Sequence, residues 1–271
     1  MTSTTARIRR LELARQTLSK LIHAPRTLAV PALRGQRDHS TLVSAATYSP
    51  WRVDEPFLDV FEVVRESTLL DEMRLYELWR LSGQVANLQG DAIEVGCWRG
   101  GAGCLVARRL AATAPGVHMY ECDTFAGVVK AGDEDPTYTG GEHDDASPEL
   151  VEGLARRLGL DNVTVLTGVF PDETGAAVAD RTFRFVHMDL DVYRGSVDAF
   201  AWLLPRLVVG SITVFDDYGF ALTGGARRFV DELERHPDFV IVRNLNGHAV
   251  VIRTRATSDE LPPPAHVDGR G

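Results

Sequence analysis

Short apolar runs alternate with segments of helical periodicity along most of the chain. The runs lie at residues 91–95, 117–123, 163–166, 183–188 and 212–215. Apolar residues recur at helical spacing over residues 71–85, 102–112, 148–159 and about 197–207. Strands that alternate with helices predict an α/β fold with a parallel sheet, helices on both of its faces and right-handed crossovers.

The last two apolar runs are connected differently. Residues 239–242 and 249–252 are joined through residues 244–247, and the tight Asn246-Gly247 step predicts a β-hairpin. One strand at this end must therefore run antiparallel to the others. Five parallel strands closed by such a hairpin are expected of the Rossmann-like sheet of class I S-adenosylmethionine-dependent methyltransferases, whereas a dinucleotide dehydrogenase normally adds a sixth parallel strand.

The 271 residues suffice for one large domain with extensions. We predict a basic N-terminal arm over residues 1–55, partly helical or flexible, a domain of the methyltransferase type over 56–256, and a disordered tail over 257–271. Residues 1–40 carry eight basic and two acidic side chains, a net charge of +6, which leaves −15 for the rest of a chain whose total is −9. An acidic body argues against a nucleic-acid substrate, which requires a basic groove.

The cysteine content bears on the compartment. Cys97, Cys104 and Cys122 lie in or beside predicted core elements, and three buried thiols do not predict a disulfide framework. A cytoplasmic location is therefore expected. No apolar run approaches the roughly 20 residues that span a bilayer, so we expect no membrane span. We also expect a homo-oligomer, a dimer or larger.

The first apolar run ends in a glycine-rich turn, residues 94–101, which reads Glu-Val-Gly-Cys-Trp-Arg-Gly-Gly. Glycines let the backbone approach a ligand closely, and the free N–H groups of the helix that follows favour an anionic group. The spacing matches neither the dinucleotide fingerprint nor a phosphate-binding loop. A carboxylate-bearing ligand such as S-adenosylmethionine fits better, with Glu94 at its amino group, Asp123 at its ribose and Trp98 lining the site. A purely structural turn is the alternative.

Four further acids come where later strands end. Asp189 and Asp191 follow the fourth run, and Asp216 and Asp217 follow the fifth. Ligands of open parallel sheets bind outside the carboxyl ends of the strands, so these acids should converge on one cleft. Oxygen donors suit Mg²⁺ or Mn²⁺ rather than zinc, and crowded carboxylates repel each other without a cation. The alternative is that they cap helices or pair with arginines.

In these motifs the sequence resembles the macrocin O-methyltransferase family, class I S-adenosylmethionine- and Mg²⁺-dependent methyltransferases of sugars and natural products. The resemblance covers roughly residues 60–255. Its five ordered motifs are residues 94–101, 122–127, 168–170, 188–193 and 215–218.

The resemblance implies a role for particular residues. Asp189, Asp216 and Asp217 would hold Mg²⁺, and Asp191 would be the general base. The implied cofactor-binding residues are Thr68, Leu69, Glu94, Gly96, Trp98, Arg99, Gly100, Gly101, Asp123, Thr124, Phe125, Gly168, Val169, Phe170 and Asp189. Leu69 stands where the family has methionine, and residues 194–196, Arg-Gly-Ser, replace an acidic-Ser-Thr segment.

A polar, glycine-rich segment between residues 125 and 147 has the length of a lid. His143 within it is a candidate substrate contact or auxiliary base, or a solvated loop residue, whereas His187 is expected in the core. The predicted function is O-methylation of a hydroxyl on a sugar or glycosylated small molecule in natural-product tailoring. A catechol-type O-methyltransferase acting on an aromatic diol and a non-catalytic binding protein on the same fold are the alternatives.

Overall fold

The computed structural model describes His39 and residues 46–264. The chain divides into two units, Met1–Ser49 and Pro50–Gly271. Most of the predicted basic arm therefore lies outside the described residues, and the fold is that of the second unit. Within the described part of the chain, no helix is both long and apolar enough to cross a bilayer.

Helices and strands alternate through the second unit. The helices are α1 (Glu55–Val64), α2 (Glu72–Gln84), α3 (Gly101–Thr113), α4 (Pro148–Arg157), α5 (Tyr193–Leu203) and α6 (Gly224–Leu233). The strands are β1 (Asp91–Val95), β2 (Met119–Asp123), β3 (Val163–Thr167), β4 (Phe183–Met188), β5 (Leu207–Phe215), β6 (Phe239–Arg243) and β7 (Ala249–Arg253). Short 3-10 turns include Arg65–Ser67, Leu204–Arg206 and Asp216–Gly219.

These strands form one sheet in the order β3-β2-β1-β4-β5-β7-β6. Strands β1 to β5 are parallel, whereas β7 is antiparallel to both β5 and β6. The parallel sheet with a C-terminal hairpin is therefore confirmed. The strand order reverses between β1 and β4, and ligands of such sheets bind at the carboxyl ends beside this point.

Local sequence signals fix where several helices begin. Asp71 caps α2, because its side chain accepts the backbone N–H groups of Met73 at 2.9 Å and Arg74 at 3.0 Å. Helix α4 begins at Pro148, whose fixed φ suits the first helical position and whose missing N–H costs nothing there. These residues mark where α2 and α4 begin, although the Ser147 side chain before α4 makes no capping hydrogen bond.

Apolar side chains pack against both faces of the sheet. Ala92 belongs to a cluster with residues of α2 and α3, while Ile93 and Val95 belong to a second cluster on the opposite face. This alternation is that of a strand buried on both sides. Cys97, Cys104 and Cys122 are free and buried, as predicted.

Three helical features differ from the prediction. Helices α1 and α6 were not expected from the pattern, although Phe57 and Phe229 anchor them in the core. The helix expected at about 197–207 is Tyr193–Leu203 instead, because Leu204–Arg206 forms a 3-10 turn and Leu207 already begins β5. Pro205, which lacks an N–H group, lies in that turn.

The segment after residue 256 is held against the domain in its first part, where disorder was predicted. Asp238 accepts the backbone N–H groups of Thr257 at 2.6 Å and Ser258 at 3.0 Å. Arg253 donates to Asp259 at 2.8 Å, and Leu261 packs against the second apolar cluster. The rest of the predicted tail, residues 265–271, lies outside the described residues.

Candidate active site

The glycine-rich turn after β1 brings its backbone close to two other segments. Gly96 has a φ of +90°, and a Cβ atom there would lie 1.8 Å from the backbone oxygen of Asp189. A Cβ atom on Gly101 would lie 2.5 Å from the backbone oxygen of Ser67. Only glycine fits at these positions. The turn leads into the first turn of α3, whose N–H groups lack intrahelical acceptors and can receive an anionic group.

Asp123, at the end of β2, is oriented by two backbone N–H groups. Trp98 donates to one carboxylate oxygen at 2.7 Å and Phe125 donates to the other at 2.8 Å. Burial raises the pKa of Asp123 above its usual value, although these bonds favour the ionised form. Each oxygen keeps a further lone pair, so the carboxylate can accept hydrogen bonds from a ligand.

Three carboxylates converge at the ends of β4 and β5. Asp189, Asp191 and Asp217 each offer an oxygen, and these oxygens all lie within 4.8 Å of one another. Asp191 has a φ of +63°, and its N–H donates to Asp217 at 2.8 Å. Burial, followed by repulsion from neighbouring carboxylates, raises the pKa values of Asp189 and Asp217 well above their usual range. A set of oxygen donors in mutual repulsion fits a divalent cation such as Mg²⁺ or Mn²⁺.

Asp216, implied as a metal ligand by the family resemblance, is engaged elsewhere. Nη1 of Arg74 lies 2.8 Å and 2.6 Å from its two carboxylate oxygens, and Nε2 of His248 lies 2.8 Å from Oδ1. Burial opposes ionisation, but His248 and Arg74 together lower the pKa of Asp216. The described oxygen cluster contains Asp191, whereas Asp216 contacts the guanidinium group of Arg74 and the imidazole of His248.

Two buried histidines flank Asp216. Nδ1 of His248 lies 2.6 Å from Oε2 of Glu77. Burial opposes protonation of His248, but hydrogen bonds to Asp216 and Glu77 outweigh it and raise the pKa of His248. His187 is fully buried, as predicted, with Nδ1 2.6 Å from Oε1 of Glu94. The side-chain donors of the two histidines and Asp216 lie within 4.8 Å of one another. Within this group Asp216 already contacts the Arg74 guanidinium and the His248 imidazole.

One pocket of about 400 Å³ brings most of the predicted site together. The predicted residues that line it are Thr68, Leu69, Glu94, Gly96, Trp98, Asp123, Thr124, His143, Gly168, Val169, Phe170, Asp189, Asp191, Asp216 and Asp217. Its size is in the range of small-molecule and cofactor sites. The glycine turn and the oxygen cluster thus open into the same space.

Four predicted cofactor contacts support the pocket without lining it. Arg99 pairs with Asp145 at 2.6 Å and stacks on the Trp98 ring with its guanidinium 4.3 Å from the ring centroid. Trp98 Nε1 donates to the same Asp145 at 2.7 Å. Gly100 and Gly101 form the start of α3, and Phe125 contributes its N–H to Asp123. These residues hold the walls in place.

The loop between β2 and α4 supplies residues that the sequence did not single out. Tyr138 lines the pocket and its hydroxyl donates to Oδ1 of Asp191 at 2.7 Å. Lys130 lines it too, held by Asp172 at 2.7 Å and Asp198 at 2.9 Å. Single tyrosines and lysines in a polar loop carry no motif, so only the folded geometry identifies them.

The sheet order, the glycine turn and the acid at the end of β2 define the fold as that of a class I methyltransferase. Residues 65–244 match the family model described as Macrocin-O-methyltransferase (TylF), which is more than half of the chain, and the chain belongs to this family. The resemblance found in the five motifs is thereby confirmed.

Two curated relatives are named O-methyltransferases. The 8-demethyl-8-(2,3-dimethoxy-alpha-L-rhamnosyl)-tetracenomycin-C 4'-O-methyltransferase of Streptomyces olivaceus is 32% identical over 139 residues, 48% of this chain and 53% of the relative. The Mycinamicin III 3''-O-methyltransferase of Micromonospora griseorubida is 32% identical over 142 residues, 48% of this chain and 55% of the relative. The chain thus spans about half the length of the curated relatives it matches.

Solved structures agree on the fold. The O-methyltransferase NovP superposes with a TM-score of 0.58 at 24% identity, covering 70% of this chain and 83% of that chain. The calicheamicin methyltransferase CalS11 superposes with a TM-score of 0.56 at 19% identity, covering 80% of this chain and 98% of that chain. At these identities the likeness supports the fold alone.

Proposed function

We propose that the protein is an S-adenosylmethionine- and Mg²⁺-dependent O-methyltransferase that methylates a hydroxyl of a sugar or glycosylated natural product. The observation that carries the proposal is that one pocket is lined both by the close-packed glycine turn and by a carboxylate cluster. Family membership agrees with this reaction. The cofactor would supply a methyl group on a sulfonium centre, poised for in-line transfer to oxygen.

Residues at the ends of β1 and β2 would bind the cofactor. The N–H groups at the start of α3 would receive its carboxylate, Glu94 its ammonium group and Asp123 its ribose hydroxyls. Asp123 is suited to this role because two backbone N–H groups already fix its orientation. Thr68 and Leu69 line the same pocket and would cover the bound cofactor.

We assign Asp189 and Asp217 as the protein ligands of the divalent ion, since both belong to the implied set and to the described cluster. Two carboxylates with water and substrate oxygens are a usual Mg²⁺ environment. The ion would supply Lewis acidity that lowers the pKa of the acceptor hydroxyl. Asp191 would accept the proton, with its orientation fixed by the Tyr138 hydroxyl at 2.7 Å.

The acceptor would enter beside the loop between β2 and α4. His143 lines the pocket and is exposed, which suits a contact to a hydroxylated substrate. The name of one relative places its reaction on a rhamnosyl group, and this supports a sugar hydroxyl as the acceptor. The three free, buried cysteines also support the proposal that the enzyme works in the reducing cytoplasm.

The test has two stages, both on the full chain. S-adenosylmethionine is first titrated calorimetrically, and we expect micromolar binding. Rhamnosides and other glycosides are then incubated with cofactor and either Mg²⁺ or chelator, and a 14 Da mass gain that requires Mg²⁺ is expected. Absence of cofactor binding would overturn the proposal, whereas a mass gain that persists in chelator would overturn only its metal component.

A further inference from the structure

Two glutamates lie side by side in the centre of the sheet. Glu94 on β1 and Glu121 on β2 are opposite each other in the strand register, and they are 1% and 0% exposed. One oxygen of Glu94 meets Nδ1 of His187 at 2.6 Å. Oε2 of Glu94 and both oxygens of Glu121 are buried without a conventional hydrogen-bond partner among the described residues. Such groups are costly unless a proton lies between them.

These surroundings favour a proton shared between the two carboxyl groups. Burial, and then the charge of Glu94, raises the pKa of Glu121 well above its usual range, and the two carboxyl groups are within hydrogen-bonding reach of each other. A protonated Glu121 would have one O–H to donate to the side chain of Glu94 beside it. Burial, and then the charge of Glu121, raises the pKa values of the thiols of Cys97, Cys104 and Cys122, so these neighbouring thiols stay neutral.

The neighbouring helix is shaped to accommodate Glu121. A Cβ atom on Gly103 of α3 would lie 2.0 Å and 2.3 Å from the two carboxyl oxygens of Glu121. Glycine inside a helix is less favourable than alanine. Gly103 therefore lowers the stability of α3, but it leaves space for the Glu121 side chain. Gly103 and Glu121 therefore form a matched pair, because the missing side chain of Gly103 leaves the space that the Glu121 carboxyl group occupies.

Glu94 connects the pair to the pocket. Glu94 is one of the residues that line the pocket, whereas Glu121 is not. A donor on each oxygen, Nδ1–H of His187 on Oε1 and the O–H of Glu121 on Oε2, would fix the carboxylate in one orientation. The remaining lone pairs would then be available to a cationic group in the pocket.

We propose that Glu121 is a positioning residue of the cofactor site: its carboxylic acid donates to Glu94 and holds that carboxylate ready for the ammonium group of S-adenosylmethionine. The inference rests on the proposed function, in which Glu94 receives this ammonium group. Glu121 itself does not touch the cofactor. Its contribution is therefore to binding affinity, through Glu94.

The first experiment compares Glu121→Gln, Glu121→Val and the neighbouring core control Met119→Leu by calorimetric titration with S-adenosylhomocysteine and by thermal melting. Glutamine keeps a donor, so its dissociation constant should stay within about three-fold of wild type, whereas valine should weaken binding about ten-fold or more. Because Glu94 would then keep a buried carboxyl oxygen without a donor, the valine variant should also melt at a lower temperature, whereas the glutamine variant should not. Wild-type affinity in the valine variant would overturn the inference and leave the proposed function standing. Failure of the wild type to bind would overturn both.

A second experiment tests the placement of Glu121 without any ligand. Gly103→Ala should lower the melting temperature of the wild type but raise it in a Glu121→Ala background, where the new methyl group meets no carboxyl group. Gly153→Ala in α4 is the matched control, because its Cβ would have 3.8 Å of clearance from the nearest neighbour, and it should act alike in both backgrounds. If Gly103→Ala lowered the melting temperature equally in both backgrounds, Glu121 would not be the group that requires glycine at position 103.

Discussion

Arg74 and Asp216 form a buried ion pair in which one guanidinium nitrogen contacts both carboxylate oxygens, at 2.8 Å and 2.6 Å. The pair joins the first turn of α2 to the end of β5. The pair also marks a division between two adjacent acids. Asp216 is paired with Arg74, whereas Asp217 lies near two other carboxylates. We therefore expect Asp216 to stabilise the fold and Asp217 to be available to a cation.

This division predicts opposite behaviour for two neighbouring substitutions. Asp217→Asn should weaken Mn²⁺ binding about ten-fold or more, since it removes one of the clustered carboxylates. Asp216→Asn should leave Mn²⁺ affinity within about three-fold of wild type but lower the free energy of unfolding by about 3–5 kcal/mol, because Arg74 loses its buried partner. Mn²⁺ binding is measured by electron paramagnetic resonance with S-adenosylhomocysteine present, and stability by urea unfolding. Loss of Mn²⁺ binding in Asp216→Asn would contradict this prediction and would indicate that Asp216 is a metal ligand.

Asp123 offers a test of the cofactor half of the pocket. Asp123→Ala removes the acceptor proposed for the ribose and leaves the N–H groups of Trp98 and Phe125 without their partner. Affinity for S-adenosylmethionine should fall about ten-fold or more, because both a ligand contact and the shape of the turn are lost. Calorimetry gives the dissociation constant, and the exposed Asp161→Asn serves as control. Unchanged affinity would show that the cofactor does not use the end of β2.

The carboxyl ends of the strands could be predicted from the sequence because a polar residue ends or follows each apolar run. That pattern located Asp123 and Asp189 at the carboxyl edge of the sheet, and parallel strands bring such residues together. The hairpin could likewise be predicted, since Asn246-Gly247 supplies the backbone conformation that a tight turn needs, and Gly247 has a φ of +109°. These features depend on residues close to one another in the chain.

The roles of the adjacent acids could not be predicted in the same way. Whether Asp216 or Asp217 meets a cation from the protein depends on Arg74, 142 positions away in the chain, and on His248. Helix α6 escaped prediction for a related reason. Gly225 near its start has low helix propensity, yet a Cβ atom there would lie 1.8 Å from an oxygen of Asp135, so tertiary packing requires the glycine.

Tyr138 provides a test of the proton acceptor. Burial and the hydrogen bond to Asp191 raise the pKa of Tyr138, so its hydroxyl stays a neutral donor. In Tyr138→Phe the Asp191 carboxylate loses this donor, and kcat/KM for the acceptor should fall about ten-fold while affinity for S-adenosylmethionine is unchanged. Steady-state kinetics with a responsive glycoside measure the first quantity and calorimetry the second. An equal loss of cofactor affinity would mean that Tyr138 acts on the whole pocket rather than on Asp191.

Asp238 holds the segment that follows β7 by accepting hydrogen bonds from it, and we expect this contact to weaken in acid. Burial opposes its ionisation, but hydrogen bonds from Thr257 and Ser258 outweigh this and lower the pKa of Asp238 to about 2. Asp238→Asn should release residues 257–261, with several-fold faster cleavage there by a broad-specificity protease at neutral pH. Glu260→Gln, on the same segment but exposed, is the control.

The pH dependence of this anchor follows from the sign of the shift. The usual carboxyl pKa of 3.8 exceeds the folded value of about 2, so the unfolded state binds the proton more tightly. The stabilisation is therefore complete above about pH 4 and is lost as the pH falls through about 2. Wild type and Asp238→Asn should differ in melting temperature at pH 6, and the difference should shrink steadily between pH 4 and pH 2. A difference that stays constant across this interval would show that the carboxylate charge of Asp238 does not hold the segment.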